Sequence, residues 1–305
     1  MMGWRAAISR RCVWIVLLCC STLSLAQPQA HGLRDSNAEQ ALPGTASLRV
    51  VTLAPSLTEL VYATGAGASL VGVSAYSDFP EAARWLPQVA DAASISWESL
   101  LALKPDLVLA WKGGTRQSDI ARLNSLGLNV VVIEIKRLDD VSRSLRSIGK
   151  LVGHTDHAEL TAREFERQLS VLRRSHQRKT KVKVFFEISA QPLMTVNRDH
   201  VISELIELCG GTNTFADSPT LVGEPSREEL LKRSPDAILY GKTLTGKTRA
   251  DASAYEGLAA AAHGRVYAIT ADYVFRPGPR LLWAAEEICA SLDRSRISAN
   301  EQIAR

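Results

Sequence analysis

The sequence predicts an α/β protein: two Rossmann-like lobes with parallel sheets, joined by a single long α-helix. Three observations carry that expectation. Short runs of Val, Ile and Leu alternate with longer helical patterns, the arrangement of parallel α/β sheets. Residues 139–180 lack any strand signal and hold a sustained helical one. The segment "SWESLLALKPDLVLAW" from Ser96 is echoed by "SREELLKRSPDAILYG" from Ser226 at a constant offset of 130 positions. Both copies read Ser-x-Glu-x-Leu-Leu, three residues, then Pro-Asp-x-(Val/Ile)-Leu, so each half of the chain uses one helix-to-strand unit.

The first 26 residues stand apart from this fold. Arg5, Arg10 and Arg11 precede the apolar run "VWIVLLCC", and Ser24 and Ala26 flank a cleavage point, the pattern of a secretory signal peptide. The run is shorter than the roughly 20 apolar residues a membrane span needs. Residues 27–48 are polar and small, with Pro and Gly, and read as a flexible leader. Removing residues 1–26 lowers the formal charge from +4 to +1, and nothing in that balance calls for nucleic acid. The 46% hydrophobic composition over 305 residues suffices for two lobes with their own cores.

Four strands are expected in the first lobe, residues 49–140: "RVVTLA", "LVGVSAY", "DLVLAW" and "NVVVIEI". Three are expected in the second, residues 181–293: "VKVFFEI", "AILYG" and "VYAIT". Runs apolar at successive positions, such as Val130 to Ile133, suit strands covered on both faces. In the connecting region, 141–180, nothing breaks a helix from Thr155 to about Arg178, a spar of about 36 Å at 1.5 Å per residue. Its basic end, "RRSHQRKTKVK", suits a solvated helix C-terminus complementing the macrodipole, the alternative being an anionic lipid or partner. Residues 294–305 read as a tail. In the repeat, Ser96 and Ser226 are expected as helix N-caps, with Glu229 completing a capping box in the second copy, before Pro-Asp turns the chain into the next strand.

Cys12, Cys19 and Cys20 lie in the signal peptide, so Cys209 and Cys289 are the only pair in the exported chain. An oxidising compartment favours a disulfide between them; two buried thiols are the alternative.

Open α/β sheets place ligands outside the carboxyl ends of their strands. There the chain carries "APSLTEL", "AYSDFP", "AWKGGTR", "ISAQPLMT" and "TADYVFRPGPR". Tyr76, Trp111, Tyr273 and Phe275 offer flat apolar faces among Ser56, Ser77, Asp78, Asp272 and Arg276, which suits a large, flat, amide-rimmed ligand; Phe79 is expected in core packing. No nucleophile elbow, P-loop or zinc-protease motif is present, and the glycines of "GAGASLVG" miss the dinucleotide spacing, so no catalytic residue is assigned. His154 and His157 read as surface histidines rather than half of a metal site.

Taken together, "RVVTLAPSLTELVYATG", "GVSAYSDFP", "LALKPDLVLAWKGG", "ELCGGTNTFADS", "SREELLKRSPDAI" and "TADYVFRPGPR" resemble the periplasmic cobalamin-binding proteins of ABC importers. The resemblance runs from about Arg49 to Leu292. It implies a non-catalytic, monomeric carrier in the periplasm with limited hinge motion. Its cargo is cobalamin or a related corrinoid, with no resident cofactor or metal, and it delivers to a homodimeric permease with ATPase subunits. The same fold can instead carry haem or a ferric siderophore, and an exported α/β enzyme is the alternative from another class. The family's ligand positions fall on Tyr76, Trp111 and the loop Asp272, Tyr273, Val274, Phe275 and Arg276, its disulfide on Cys209 and Cys289. Its two docking glutamates fall on Glu98 and Glu228, which explains why the repeat keeps a Glu in each lobe: a pseudo-twofold pair of carboxylates meets a twofold-symmetric partner. The sequence departs from the family at Ala92, Met194 and Val222, where aromatic residues are expected.

Overall fold

The structure is a computed structural model that describes residues 48–242 and 255–303; the signal peptide and nearly all of the leader lie outside the described residues. The first lobe contains β1 (Val50–Thr52), α1 (Pro55–Ala63), β2 (Leu70–Ser74), β3 (Gln88–Ala90), α2 (Trp97–Ala102), β4 (Leu107–Trp111), α3 (Gln117–Ser125) and β5 (Val130–Ile133). Two helices follow, α4 (Leu138–Leu151) and α5 (Thr155–His176). The second lobe begins with β6 (Val182–Glu187), β7 (Ser189–Ala190), β8 (Leu193–Val196), α6 (Val201–Leu208) and β9 (Gly211–Asn213). It continues with β10 (Val222–Gly223), α7 (Arg227–Arg233), β11 (Ala237–Lys242), α8 (Ala259–Ala262), β12 (Val266–Thr270), α9 (Ala271–Val274) and α10 (Leu281–Ile303).

All seven expected strands are present, and each lobe is built on a parallel sheet. The orders are β3-β2-β1-β4-β5 and β12-β11-β6-β9. In the first sheet the strand order reverses between β1 and β4, and in the second between β6 and β11, so each has a crevice at its strand ends. A small antiparallel sheet, β10-β8-β7, adds to the second lobe. Its strands of two to four residues are too short to leave a periodic signal.

The repeat has a common geometry. Leu100 and Leu230 are fully buried, and Lys104 and Ser234, again 130 positions apart, both take left-handed φ values of 46° and 45°. The following Asp carboxylates do the same work in each lobe: Asp106 accepts from the Arg49 amide and Asp236 from the Lys183 amide, both at 2.8 Å. Each aspartate thereby satisfies an amide at the start of the neighbouring strand, where no ladder partner exists. The caps differ from expectation. Ser226 Oγ accepts from the Glu229 amide at 3.1 Å, but the Glu229 carboxylate pairs with Arg233 instead of reaching back. Ser96 Oγ donates to Ser99 Oγ and caps nothing.

The connection between lobes is a helical pair, α4 packed on α5, of which α5 is the longer. Its 22 residues span about 33 Å. Near its start Thr161 Oγ1 donates to the Ala63 carbonyl of the first lobe at 3.1 Å. At its end His176 and Lys179 meet the Asp293 carboxylate of α10, so the basic end of the spar fastens it to the second lobe. One continuous apolar cluster includes Val50 and Leu109 of the first lobe, Leu145, Phe165 and Leu169 of the helical pair, and Val184, Leu239 and Ile288 of the second. A shared core of this kind resists large hinge opening. The Cys209–Cys289 disulfide, with S–S 2.05 Å, ties the end of α6 to α10. Closing its 80-residue loop is worth on the order of 4 kcal/mol in the chain-entropy model. Residues 294–303 continue α10 rather than forming a tail, and Arg296 anchors it by donating to the carbonyls of Thr180, Cys209 and Gly210.

Candidate functional site

Between the lobes lies a recess of about 210 Å³. Its first-lobe wall is Trp111, Lys112 and Gly113 after β4 with Glu134, Ile135 and Lys136 after β5. Its second-lobe wall is Asp199, His200 and Val201 at the start of α6, Leu221 before β10, and Val274, Phe275 and Pro277 around the end of α9. Trp111 ends β4 beside the crevice between β1 and β4, where the strand order reverses. Its indole lies flat under the next loop because two glycines allow it. A Cβ at Gly113 would stand 2.5 Å from the ring, and one at Gly114 2.6 Å. Phe275 is cradled in the same way: a Cβ at Gly241 would meet its ring at 2.4 Å. Phe275 also packs edge-on against Phe186, with ring centroids 6.1 Å apart.

Of the residues expected at the site, Trp111, Val274 and Phe275 line the recess. Tyr76, Asp272, Tyr273 and Arg276 do not line it: Tyr76 stands on the loop after β2, while the other three occur in the neighbouring seam between lobes. There Arg276 bonds Asp78 across the interface at 2.5 Å and Asp272 of the preceding helix α9 at 2.9 Å. Tyr273 packs edge-on against Trp283 at 5.1 Å. Tyr76 is 74% exposed and holds φ at 63°, a left-handed conformation that costs a bulky residue about 1–2 kcal/mol. The next residue holds the loop in place: buried Ser77 shares hydroxyl hydrogen bonds with Thr58 at 3.0 Å and Ser74 at 3.2 Å. Phe79, expected in the core, is 38% exposed, resting on Trp283 at 5.6 Å with the Arg280 guanidinium 4.6 Å over its ring. Met194 is half-buried in β8, while Ala92 and Val222 are exposed.

Several groups that the sequence did not point to shape the site. Arg280 and Glu59 form a bidentate pair across the lobes at 2.8 and 2.5 Å, with only 5% and 2% of the two side chains exposed. Burial pushes the Glu59 carboxyl up, against the pull of Arg280. A third tie joins Glu204 of α6 to the Leu138 amide and the Arg137 guanidinium at the start of α4. At the recess mouth Glu134 sits between Lys136 at 2.9 Å and Lys112 at 3.8 Å, and the Lys136 hydrogen bond holds its carboxyl below the ordinary range. His200 caps α6, its Nδ1 accepting from the Ile202 amide at 3.2 Å. Burial pushes its ring down to about 4, so it is neutral at pH 7. Away from the recess, Glu98 and Glu228 are exposed in the first turns of α2 and α7, and neither has an ion-pair or hydrogen-bond partner among the described residues. His154 and His157 lie beside Gly65, and no cluster of three or more ligating side chains occurs among the described residues.

The recess therefore offers two aromatic faces and a few directional polar groups between lobes held by ion pairs, an arrangement for capture rather than for bond chemistry. The sequence profile of the periplasmic binding proteins matches residues 50–273. The chain belongs to the periplasmic binding protein family. A vitamin B12-binding protein of Pectobacterium carotovorum is 38% identical over 263 residues, covering 86% of this chain and 92% of that one. Another from Yersinia pestis is 36% identical, covering 82% and 88%. Among solved structures, the periplasmic vitamin B12 binding protein of Vibrio cholerae superposes with a TM-score of 0.74 at 33% identity, covering 81% of this chain and 97% of that chain. A periplasmic heme-binding protein from Roseiflexus superposes at 0.73 with 23% identity, covering 82% and 100%, a likeness of fold alone. As a periplasmic binding protein the chain is a transport component and not an enzyme, in line with the binding descriptions its relatives carry.

Proposed function

We propose that this periplasmic binding protein captures cobalamin or a related corrinoid between its lobes and delivers it to an ABC importer. The observation that carries the reading is the 38% identity to a vitamin B12-binding protein across 86% of the chain. The geometry supports it. A recess of about 210 Å³ is below the roughly 300–1,000 Å³ of pockets that enclose a whole drug-sized ligand. It suits one edge of a large flat ligand, the remainder lying along the seam beside exposed Tyr76. In this reading Trp111 and Phe275 give stacking surface, Val274 packs behind them, and Asp272, Tyr273 and Arg276 meet the ligand's amide rim. The cobalt belongs to the cargo and needs no protein ligand.

Delivery uses the repeated segment. The unpaired carboxylates of Glu98 and Glu228, one per lobe in equivalent first turns, meet equivalent basic surfaces on a homodimeric permease that works with its ATPase subunits. A monomeric carrier presents one such pair. The N-terminal 26 residues direct export and are removed. Mixing the purified chain from residue 27 with cyanocobalamin, cobinamide and haemin, then desalting, tests the reading. Corrinoid colour eluting with the protein is expected. Retention of haemin alone, or of no ligand, contradicts it.

A further inference from the structure

His200 belongs to none of the sequence motifs above, yet it lines the recess at the start of α6. Its Nδ1 accepts a hydrogen bond from the Ile202 amide at 3.2 Å. A ring nitrogen that accepts from an N–H carries no proton itself, so the neutral imidazole holds its one proton on Nε2. Among the described residues no buried side-chain nitrogen or oxygen lacks a partner. Nε2 bonds to no protein group, so it is not shut inside the protein, and the cavity that this residue lines is the recess. Of the other polar side chains there, Lys112 and Lys136 both pair with Glu134, Asp199 is exposed, and the Trp111 indole N–H belongs to the first-lobe wall.

We infer that His200 is a specificity residue of the recess, donating its Nε2–H to an amide carbonyl on the edge of the bound corrinoid. The inference rests on the corrinoid reading, whose ligand class is rimmed with carboxamides, and adds to it a neutral donor on the α6 side of the recess. A single directed donor of this kind orients a ligand whose faces are held by stacking. The same tautomer works against the role a recess histidine would have toward haem. To ligate a metal through Nε2, the ring would have to carry its proton on Nδ1. That would expel the Ile202 amide from its cap and leave an orphan donor at the helix start. The capping bond thus biases the site toward reading a macrocycle's amide rim and against grasping its metal.

Two measurements test this. Nitrogen-resolved NMR of the imidazole at pH 7.5 should show the Nε2-protonated tautomer in the free protein, whatever it binds. His200→Asn retains a strong N-cap but removes the Nε2 donor. Its affinity for cyanocobalamin should fall roughly three- to tenfold, the scale of one neutral hydrogen bond, with an unchanged melting temperature at pH 7.5. Should that variant not fold, His200→Ser also caps and carries the same comparison. An Nδ1-protonated ring, or a folded variant with wild-type affinity, overturns the inference and leaves the corrinoid reading intact. Failure of the unmodified protein to bind any corrinoid overturns both.

Discussion

Replacing Glu59 by Gln tests the interlobe ion pair most sharply. The Glu59 carboxylate receives both Nε and Nη2 of Arg280, at 2.8 and 2.5 Å, and the guanidinium lies over the rings of Phe79 and Tyr273 at 4.6 and 5.4 Å. A glutamine offers one acceptor and turns an amide donor toward the other guanidinium N–H. It leaves a buried positive charge without its counter-charge. Removing one partner of a buried pair costs about 3–5 kcal/mol, and for a chain of this size each kcal/mol lowers the melting temperature by about 2–4 °C. Calorimetric melting at pH 7 should therefore show Glu59→Gln roughly 6–20 °C below wild type. Removing both charges with Glu59→Leu and Arg280→Met should recover most of the loss, because desolvating the pair offsets much of its attraction. A single variant melting within about 3 °C of wild type, or a double variant worse than the single, would show that the pair does not hold the lobes together.

Trp111→Ala should weaken cyanocobalamin binding by about 1–3 kcal/mol, the scale of burying a large apolar side chain, with little loss of stability; calorimetry on the folded variant checks it. Glu98→Lys and Glu228→Lys should each leave corrinoid affinity intact and reduce transport into vesicles carrying the cognate permease. If both carboxylates dock on equivalent basic surfaces, the two reversals should resemble one another and the double should be worse; unaffected transport in the double speaks against docking. His200 predicts a pH dependence. Its folded value, about 4 against an ordinary 6.5, favours the neutral ring in the fold. Its contribution is present above pH 6.5 and lost as pH falls toward 4, up to about 3 kcal/mol in all. His200→Asn should flatten that part of the stability curve in urea unfolding at pH 7.5, 5.5 and 4.5, with Asp199, Glu134 and Lys136 of the recess unchanged; parallel curves would contradict the assignment.

The strands and the long helix were legible because burial writes itself into local pattern. Val182 to Glu187 is a near-continuous apolar run, and the repeat around Ser96 and Ser226 marks equivalent units; Val130 to Ile133, expected to be covered on both faces, is instead the edge strand β5, with Val132 39% exposed. Strands of two or three residues such as β7, β9 and β10 lack the length for any period to appear. The recess aromatics Trp111 and Phe275 were legible from loop chemistry at strand ends, since glycines beside Trp111 signal close approach. Glu59 and Arg280 were not. They are 221 positions apart, and nothing local marks Glu59 as buried: it lies in α1, where Ser56 through Val61 are all buried. "RPGPR" offered two arginines, and only the packing of the lobes decides that Arg280 takes the buried carboxylate while Arg276 takes Asp78. His200 was hidden for a related reason: a histidine at a helix start reads as a cap, and its second nitrogen gains a role only when the other lobe closes a wall opposite it.

Corrinoid binding between the lobes is the property on which the proposed function stands or falls. Isothermal titration of the chain from residue 27 with cyanocobalamin at pH 7.5 measures it directly. One corrinoid per chain is expected, weakened in Trp111→Ala and unaltered in Glu98→Lys and Glu228→Lys. No saturable binding of cyanocobalamin by the folded protein, or affinity unchanged in Trp111→Ala and abolished by either glutamate reversal, would contradict it.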